Sequence, residues 1–273
     1  MNYPSCIHTH TQFCDGRSTM EEIAQTAADA GFVSLGFSPH SPLPYDNDWA
    51  MREEDFPAFF SEIASLRERF RGRMEIFAGL EWDADSGELP QGLDYVIGAV
   101  HSLVKNGERF AVDYSRELLL DVLSRLYGGD FTALCRDYYA AVAAAALRPR
   151  VQVVAHFDLL TKYNSDGFFI DENHPAYLQI AEDALDAIFS VRKDLFFEVN
   201  TGVMARAGKS YPYPAPALLS AIHRRGGQFV INSDCHRAHQ LTAGYGAALR
   251  LLSELDGARL YLFRSGAFRP FPL

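Results

Sequence analysis

The chain has 273 residues, 48% of them hydrophobic, and a formal net charge of −10 at pH 7. This length and composition suffice to bury a core in one large domain or two small ones, and they argue against disorder. The acidic balance argues against a protein that binds nucleic acid mainly by neutralising phosphates, and it gives no polybasic reason to bind a membrane surface.

Short apolar or β-branched runs alternate with longer segments of helical spacing, which is typical of βα units and a largely parallel sheet. The predicted strands, in chain order, are CIHTH, FVSLGFS, MEIFAGLE, DYVIGAVH, VQVVAHF, LFFEVN and QFVINSD. The predicted helices are STMEEIAQTAADAG, EEDFPAFFSEIASLRERFRG, residues 116–147 with a break at the glycine pair 128–129, PAYLQIAEDALDAIFSVRK and APALLSAIHRRGG. In the first helix, Ser18 or Thr19 can cap the N-terminus and Gly31 can end the helix.

The sequence shows no internal repeat, low-complexity tract or long linker, so residues 1–273 are predicted to form one domain. Seven strands that alternate with helices favour a closed (β/α) barrel. An open doubly wound sheet is the alternative. It is disfavoured because no GxGxxG or Walker-type glycine loop follows any predicted strand.

The cysteines predict a reducing compartment. No CxxC pair is formed by Cys6, Cys14, Cys135 and Cys235. The N-terminus lacks the basic, apolar and small-residue segments that follow one another in a signal peptide. We therefore expect free thiols in the cytoplasm. No apolar run approaches the roughly 18 residues that a membrane-spanning helix requires.

The predicted strands end in polar residues of the types that bind metals: His8 and His10, His40, Glu81, His101, His156, Asn200, and Asp234 with His236. In a parallel barrel all these ends lie on the face that carries active sites. The alternation of side chains along a strand places His8 and His10 on one side, and Asp234 and His236 likewise. Asp15 can fold back over the strand end because a turn-forming Gly16 follows it.

The number of ligand-type residues predicts more than one metal ion. Six histidines and three carboxylates (Asp15, Glu81 and Asp234) exceed the roughly four ligands of one tetrahedral zinc, so two or three divalent ions are implied. Zinc, iron and manganese all suit imidazole and carboxylate ligands. Three such ions would leave the site with roughly +3 of charge, which favours an anion such as a hydroxide with a phosphate.

Taken singly, each histidine at a strand end has a simpler explanation as a hydrogen-bonded or solvated side chain, and it is their shared position that indicates a metal site. His174 and His223 are predicted to lie outside the site, whereas His239 could reach its mouth as an acid or a substrate contact. Cys14 and Cys235 are predicted to be structural, since alternation turns Cys235 away.

The motifs HTHTQFCDG, FSPHSPLP, GLEWD, DYVIGAVHSL, VAHFDLLTKYN, FEVNTG and NSDCH resemble the polymerase and histidinol phosphatase (PHP) superfamily, and within it the monofunctional histidinol-phosphate phosphatases. The resemblance implies an α/β fold, a distorted (β/α)7 TIM-like barrel with the active site at the C-terminal ends of the strands. It also implies ligand sets: His8, His10, Glu81 and Asp234 for one metal, Glu81, His101 and His156 for a second, and Asp15, His40 and His236 for a third. CDGR stands where some of these phosphatases have CPHG, so Asp15 takes the place of a histidine.

The resemblance implies hydrolysis of L-histidinol phosphate to L-histidinol and phosphate, by a metal-bridging hydroxide held at the Glu81 site. A small phosphate ester is then the partner, without nucleic acid or membrane. Two alternatives remain: a PHP phosphoesterase or nuclease with another substrate, and a non-enzymatic metal-stabilised binding module. A nuclease should present a basic groove interleaved with aromatics; the arginines at 67, 69, 71 and 73 fit an exposed helix end instead. The oligomeric state is not predicted.

Four cations in loops after strands are candidates for binding phosphate: Arg206, Lys162, Arg17 and Lys209. Arg206 is the first candidate because a planar guanidinium can bind phosphate through two parallel hydrogen bonds. Each of the four could equally be a solvated charge in a loop. Glu198 could bind the substrate or hold a ligand histidine in place. Further candidates for the substrate's ammonium and imidazole are Trp49, Tyr163, Asp171 and Glu172.

Overall fold

The computed structural model describes residues 3–45, 47–164, 167 and 171–273. A nine-stranded sheet runs in the order β1 (Ser5–Cys6), β2 (Ser34–Phe37), β3 (Glu75–Asp83), β4 (Tyr95–Ala99), β7 (Val153–Val154), β8 (Phe196–Asn200), β9 (Gln228–Asn232), β10 (Arg259–Arg264) and β11 (Ala267–Phe271). Neighbours from β1 to β10 are parallel, and β11 pairs antiparallel with β10. A separate antiparallel hairpin, β5 (Ser102–Lys105) and β6 (Glu108–Ala111), follows β4.

The helices lie between the strands: α1 (Met20–Asp29), α2 (Phe56–Arg69), α3 (Arg116–Tyr127), α4 (Phe131–Ala146), α5 (Pro175–Val191), α6 (Gly202–Arg206), α7 (Pro216–Arg224) and α8 (Tyr245–Ser253). Thr19 caps α1, and its side chain and Glu22 form a capping box. The predicted break between α3 and α4 occurs where Gly128 adopts the left-handed conformation. In the described ranges, no helix is both long and apolar enough to cross a membrane.

The sheet curls into a distorted TIM-like barrel. An isolated parallel bridge joins Thr9, beyond β1, to Cys235, beyond β9, and the backbone N–H of His10 donates to the Cys235 carbonyl at 2.9 Å. These contacts link the first and last of the predicted strands at the end where the candidate ligands lie. The barrel prediction is confirmed over the open doubly wound sheet.

An apolar cluster fills the barrel below the polar end: Ile7, Phe77, Tyr95, Ile97, Ala99, Val153, Ala155, Val230 and Phe263. The Tyr95 ring lies directly against Gly36, so it takes up the room that the small residues of β2 leave, and its hydroxyl donates to the Ile7 carbonyl at 2.5 Å. A larger apolar cluster packs the helices against the outside of the sheet. Both clusters consist of apolar side chains, and the candidate ligands lie beyond them at one end of the barrel.

All seven predicted strands are present, with shorter bounds than their sequence runs in most cases. The sheet extends further than predicted, because β10 and β11 add to it. The β5–β6 hairpin and the helices α6 and α8 were also not predicted.

Candidate metal centre

The nine predicted ligand residues lie together at the C-terminal end of the barrel. His8, His10 and Glu81 are fully or almost fully buried, and the remaining six extend from them toward a cavity. Three overlapping groups bring their ligand atoms within 4.8 Å of one another: His8 with His10 and Glu81, His40 with Glu81 and His101, and His10 with Asp15, His40 and His236. Residues more than two hundred positions apart therefore share one centre.

Glu81 lies at the middle of the centre, and its two oxygens face different imidazoles. Oε2 lies 3.4 Å from His8 Nε2 and 3.5 Å from His10 Nε2. Oε1 lies 2.9 Å from His156 Nε2 and 3.4 Å from His101 Nε2. A carboxylate placed in this way can bridge two metal ions, one bound by each oxygen.

Asp15 reaches the centre from the loop that follows His10. Its carboxylate lies 3.2 Å from His236 Nε2 and 3.6 Å from His40 Nε2. Gly16 makes this loop feasible, because a Cβ there would lie 2.2 Å from the Thr11 nitrogen and 2.4 Å from the His10 carbonyl carbon. The predicted fold-back of the loop therefore requires glycine at this position.

Asp234 and His236 both reach the centre, but simple strand alternation does not bring them there. Strand β9 ends at Asn232, and Asp234 has a left-handed backbone with φ of 47°. Such a conformation costs energy outside glycine and is tolerated best by Asp and Asn. It aims Asp234 Oδ1 at His10 Nε2, 3.1 Å away.

Two buried carboxylates fix the orientation of ligand imidazoles. His8 Nδ1 donates to Glu198 Oε1 at 2.7 Å, and His101 Nδ1 donates to Asp83 Oδ2 at 2.9 Å. Because an ionised carboxylate only accepts, each Nδ1 carries the proton, and Nε2, which faces the centre, is the nitrogen left to bind a metal ion. Glu198 thus contacts a candidate ligand histidine, as expected for the second of the two roles considered for it.

The side chains fit a group of metal ions. In the described part of the chain, three buried atoms of the centre make no hydrogen bond: Asp15 Oδ1, His40 Nδ1 and Glu81 Oε2. His40 Nδ1 and Glu81 Oε2 lie 2.7 Å apart without forming a hydrogen bond. Ligands 2.0–2.2 Å from a tetrahedral zinc lie about 3.3–3.6 Å apart. The atoms of His8, His10, Glu81 and Asp234 lie 3.1–3.7 Å apart along the measured pairs.

Burial and charge favour a neutral imidazole at His10 and an ionised carboxylate at Glu81. Burial lowers the pKa of His10 to about 3, and the imidazoles of His236 and His40 act in the same direction. Burial raises the pKa of Glu81, but His40 and His8 outweigh it and hold the pKa well below its ordinary value. A neutral imidazole and an ionised carboxylate are the forms that bind metal ions.

A cavity of about 580 Å³ opens over the centre. Arg206 lines it, and its Nη2 donates to Asp234 Oδ2 at 2.8 Å. Lys162 also lines it, and its Nζ donates to Asp113 Oδ2 at 3.0 Å. The half-buried Trp49 stands edge-on to His40, with ring centroids 4.7 Å apart. The cavity therefore combines cations, an aromatic wall and the candidate ligands.

Several candidates lie outside this cavity. Lys209 is buried in an ion pair with Glu172 at 3.0 Å and does not line the cavity. Arg17 and His239 are exposed and do not line the cavity. Asp171 is exposed as well. The assignments of Lys209, Arg17, Glu172 and Asp171 to substrate, and of His239 to proton transfer, have no support in this geometry.

Tyr163 does not line the cavity. Its hydroxyl donates to the carbonyls of Asp113 and Tyr114, which do line it, at 3.0 and 2.6 Å.

Two residues at the site were not predicted. Asp83 orients His101, and Asp113 lies on the cavity wall. Asp83 had a signal in the sequence, because it lies two residues after Glu81 on the same strand, in the same alternation phase.

The fold and site define a barrel protein with a candidate multinuclear metal centre. Residues 7–202 match the PHP domain family. A protein of Deinococcus radiodurans described as a probable histidinol-phosphatase is 32% identical, over 96% of this chain and 97% of its own length. The histidinol-phosphatase of Bacillus subtilis is 24% identical, over 89% of this chain and 97% of its own.

A crystal structure of the histidinol phosphate phosphatase of Lactococcus lactis, in complex with zinc, L-histidinol and phosphate, has a similar fold. Its TM-score is 0.72 at 19% identity, and the match covers 97% of this chain and 98% of that one. This chain belongs to the PHP domain family.

Proposed function

We propose that this protein is a metal-dependent phosphomonoesterase that hydrolyses L-histidinol phosphate to L-histidinol and phosphate, a step of histidine biosynthesis. The observation that carries the proposal is the position of Glu81, whose two oxygens face different imidazoles beneath a cavity that Arg206 lines. The names of the Deinococcus and Bacillus relatives, and the L-histidinol and phosphate bound in the Lactococcus structure, support this choice of substrate.

We propose that two or three divalent ions of zinc, iron or manganese bind the centre. The residues that would hold them are His8, His10, Glu81 and Asp234 for one, Glu81, His101 and His156 for a second, and Asp15, His40 and His236 for a third. Ions of this kind lower the pKa of bound water and neutralise phosphoryl oxygens.

The protein's own side chains prepare the site in three ways. Arg206 presents a planar guanidinium to the cavity and is the proposed phosphate clamp, with Lys162 as a second positive charge. Glu198 and Asp83 keep the Nε2 atoms of His8 and His101 directed at the centre. The edge of Trp49 lies beside His40 and supplies an aromatic surface for the imidazole of the substrate.

A small substrate is favoured over a polynucleotide. The cavity volume of about 580 Å³ falls in the range of small-molecule sites. Three of the four arginines in and just after α2 that could have formed a basic groove are paired with acids: Arg67 with Asp94, Arg69 with Glu21, and Arg71 with Glu68. All four cysteines are free thiols, which supports the cytoplasm as the proposed location.

The test is release of phosphate from L-histidinol phosphate beside sugar phosphates, nucleotides and single-stranded DNA. Metal-loaded protein is compared with a chelated sample of the same preparation. We expect L-histidinol phosphate to exceed the other substrates by orders of magnitude in kcat/KM, and the chelated sample to be inactive until zinc or manganese is restored.

Metal-dependent turnover with a different preferred substrate would retain the metal chemistry and reject the substrate. Metal binding without turnover of any ester would instead favour the metal-stabilised binding module.

A further inference from the structure

The described cavity wall contains two carboxylates outside the candidate metal centre, Asp48 and Asp113. Asp48 is exposed, whereas the side chain of Asp113 is only 22% exposed. Lys162 Nζ donates to Asp113 Oδ2, and Oδ1 makes no hydrogen bond with the part of the chain that the structure describes. Asp113 Oδ1 is therefore a hydrogen-bond acceptor on the cavity wall that is available to a bound substrate.

Contacts on three sides hold Asp113 beside the metal centre. The backbone N–H of its neighbour Val112 donates to the His101 carbonyl at 2.9 Å. Lys162 Nζ and the Tyr163 hydroxyl both donate to the Asp113 carbonyl, at 2.9 and 3.0 Å. Because the carbonyl of a candidate ligand is one of these anchors, the Asp113 backbone has a fixed position relative to the candidate ligands.

Asp113 keeps its negative charge in this position. Burial raises its pKa, but Lys162 and the imidazoles of His101 and His156 outweigh burial and hold the pKa below its ordinary value. The other charges on the cavity wall away from the centre are mainly positive, namely Arg109, Lys162 and Arg206. Each of these cations is paired with a carboxylate, and of the two wall carboxylates outside the centre Asp113 is the less exposed, so a cationic group of a substrate would be attracted most strongly to Asp113.

L-Histidinol phosphate carries such a group. Its ammonium is separated from the ester oxygen by two carbon atoms, so with the phosphate at the metal centre the ammonium must lie at the adjacent wall. We propose that Asp113 binds the ammonium of the substrate and so selects amino-alcohol phosphates from other phosphate esters. This assignment rests on the proposed function.

The test compares two esters that differ only in the ammonium: L-histidinol phosphate and 3-(imidazol-4-yl)propyl phosphate. We expect wild-type protein to prefer the first by about 10- to 100-fold in kcat/KM, the range for one hydrogen bond to a charged group. In Asp113→Asn, which keeps an acceptor for Lys162, this ratio should fall close to 1 through a loss on the first ester. Asp113→Glu keeps the charge and should keep a ratio above 1.

Asp137→Asn is the matched control. Asp137 pairs with Lys105 of the β5–β6 hairpin at 2.7 Å, as Asp113 pairs with Lys162, but it does not line the cavity. The control should keep the wild-type ratio, and thermal unfolding checks that each variant is folded.

An equal loss on both esters in Asp113→Asn would show that Asp113 only positions Lys162 or its loop, and it would overturn the proposal. A wild-type ratio near 1, or a ratio of 1 in Asp113→Glu, would also overturn the proposal. Neither result depends on whether Asp113→Asn folds. If metal-loaded wild-type protein turned over neither ester, the proposed function itself would fail, and the role of Asp113 with it.

Discussion

The effect of replacing Glu198 beside the candidate metal centre can be predicted in detail, because each of its two carboxylate oxygens accepts two hydrogen bonds. Oε1 accepts from His8 Nδ1 at 2.7 Å and from Asn232 Nδ2 at 2.9 Å. Oε2 accepts from the backbone N–H of His156 at 3.1 Å and from Asn200 Nδ2 at 2.8 Å. In Glu198→Gln the new amide NH2 must face one of these pairs of donors, whichever way the side chain turns.

The magnitude follows from this count. Two hydrogen bonds are lost and two buried donors are left without an acceptor, at about 1–3 kcal/mol each. The free energy of unfolding of the metal-free protein should therefore fall by about 2–6 kcal/mol. Metal affinity should fall about 10- to 100-fold, because the carboxylate no longer fixes the tautomer of His8.

The assay separates the two effects. Urea unfolding of the chelated protein measures stability without the contribution of bound metal. Competition with a chelator of known affinity then measures metal binding to the folded protein.

Glu172→Gln is the matched control, because that buried carboxylate also accepts several hydrogen bonds, from Lys209, Asn164 and Tyr211, but lies outside the centre. It should lose stability and keep its metal affinity. Wild-type metal affinity in Glu198→Gln would refute the claim that Glu198 orients His8.

Three further predictions concern catalysis. Asp234→Asn should lower kcat by at least about 100-fold, since it removes a ligand charge, whereas Asp94→Asn at the opposite end of the barrel should remain active; full activity of Asp234→Asn would contradict the metal assignment. Arg206→Lys should lower kcat/KM by about 10- to 100-fold because an ammonium cannot form the planar fork, and an unchanged value would remove Arg206 from the phosphate site. His239→Ala should match wild-type turnover, since His239 is exposed outside the cavity; a large loss across the pH profile would instead identify it as the leaving-group acid.

The convergence of the candidate metal ligands could be predicted from the sequence because regular backbone pairing positions them. In a parallel barrel the strand ends meet at one edge, so the types of residue that follow the strands suffice to indicate a shared site. His40 and His156 illustrate this, since each lies just beyond the end of a paired strand, and Glu81 lies two residues before the end of β3. The rule needs neither side-chain contacts nor the path of any loop.

The loop cations could not be predicted in the same way. Lys209 and Arg206 lie three residues apart, yet Lys209 is buried against Glu172 while Arg206 lines the cavity. Sequence spacing does not reveal this difference, because Arg206 ends the short helix α6 and donates to Asp234, whereas Lys209 lies beyond that helix. The side of a loop that faces the cavity is decided by such partners.

The β5–β6 hairpin is a different case, because the sequence does contain a signal for it. Asn106-Gly107 separates two runs of strand-forming residues, and both have positive φ, 53° and 83°. This is the pattern of a type I′ turn, the strongest short-range signal for a hairpin. Ser265-Gly266, with φ of 52° and 68°, marks the β10–β11 hairpin in the same way. The strand prediction was based on the alternation of strands with helices and did not include these turn signals.

Arg206, one of the candidate phosphate-binding cations, directly contacts Asp234, one of the predicted metal ligands. Its guanidinium donates to Asp234 Oδ2, while Asp234 Oδ1 faces His10 Nε2 at 3.1 Å. One carboxylate is therefore shared between a cavity cation and the candidate ligand set. A loss of activity in Arg206→Lys could then arise from weaker phosphate binding or from a displaced Asp234, and the two differ in their effect on metal content. If Arg206 acts on phosphate, the variant keeps its metal and loses affinity for inorganic phosphate as an inhibitor, whereas a displaced Asp234 would lower the metal content as well.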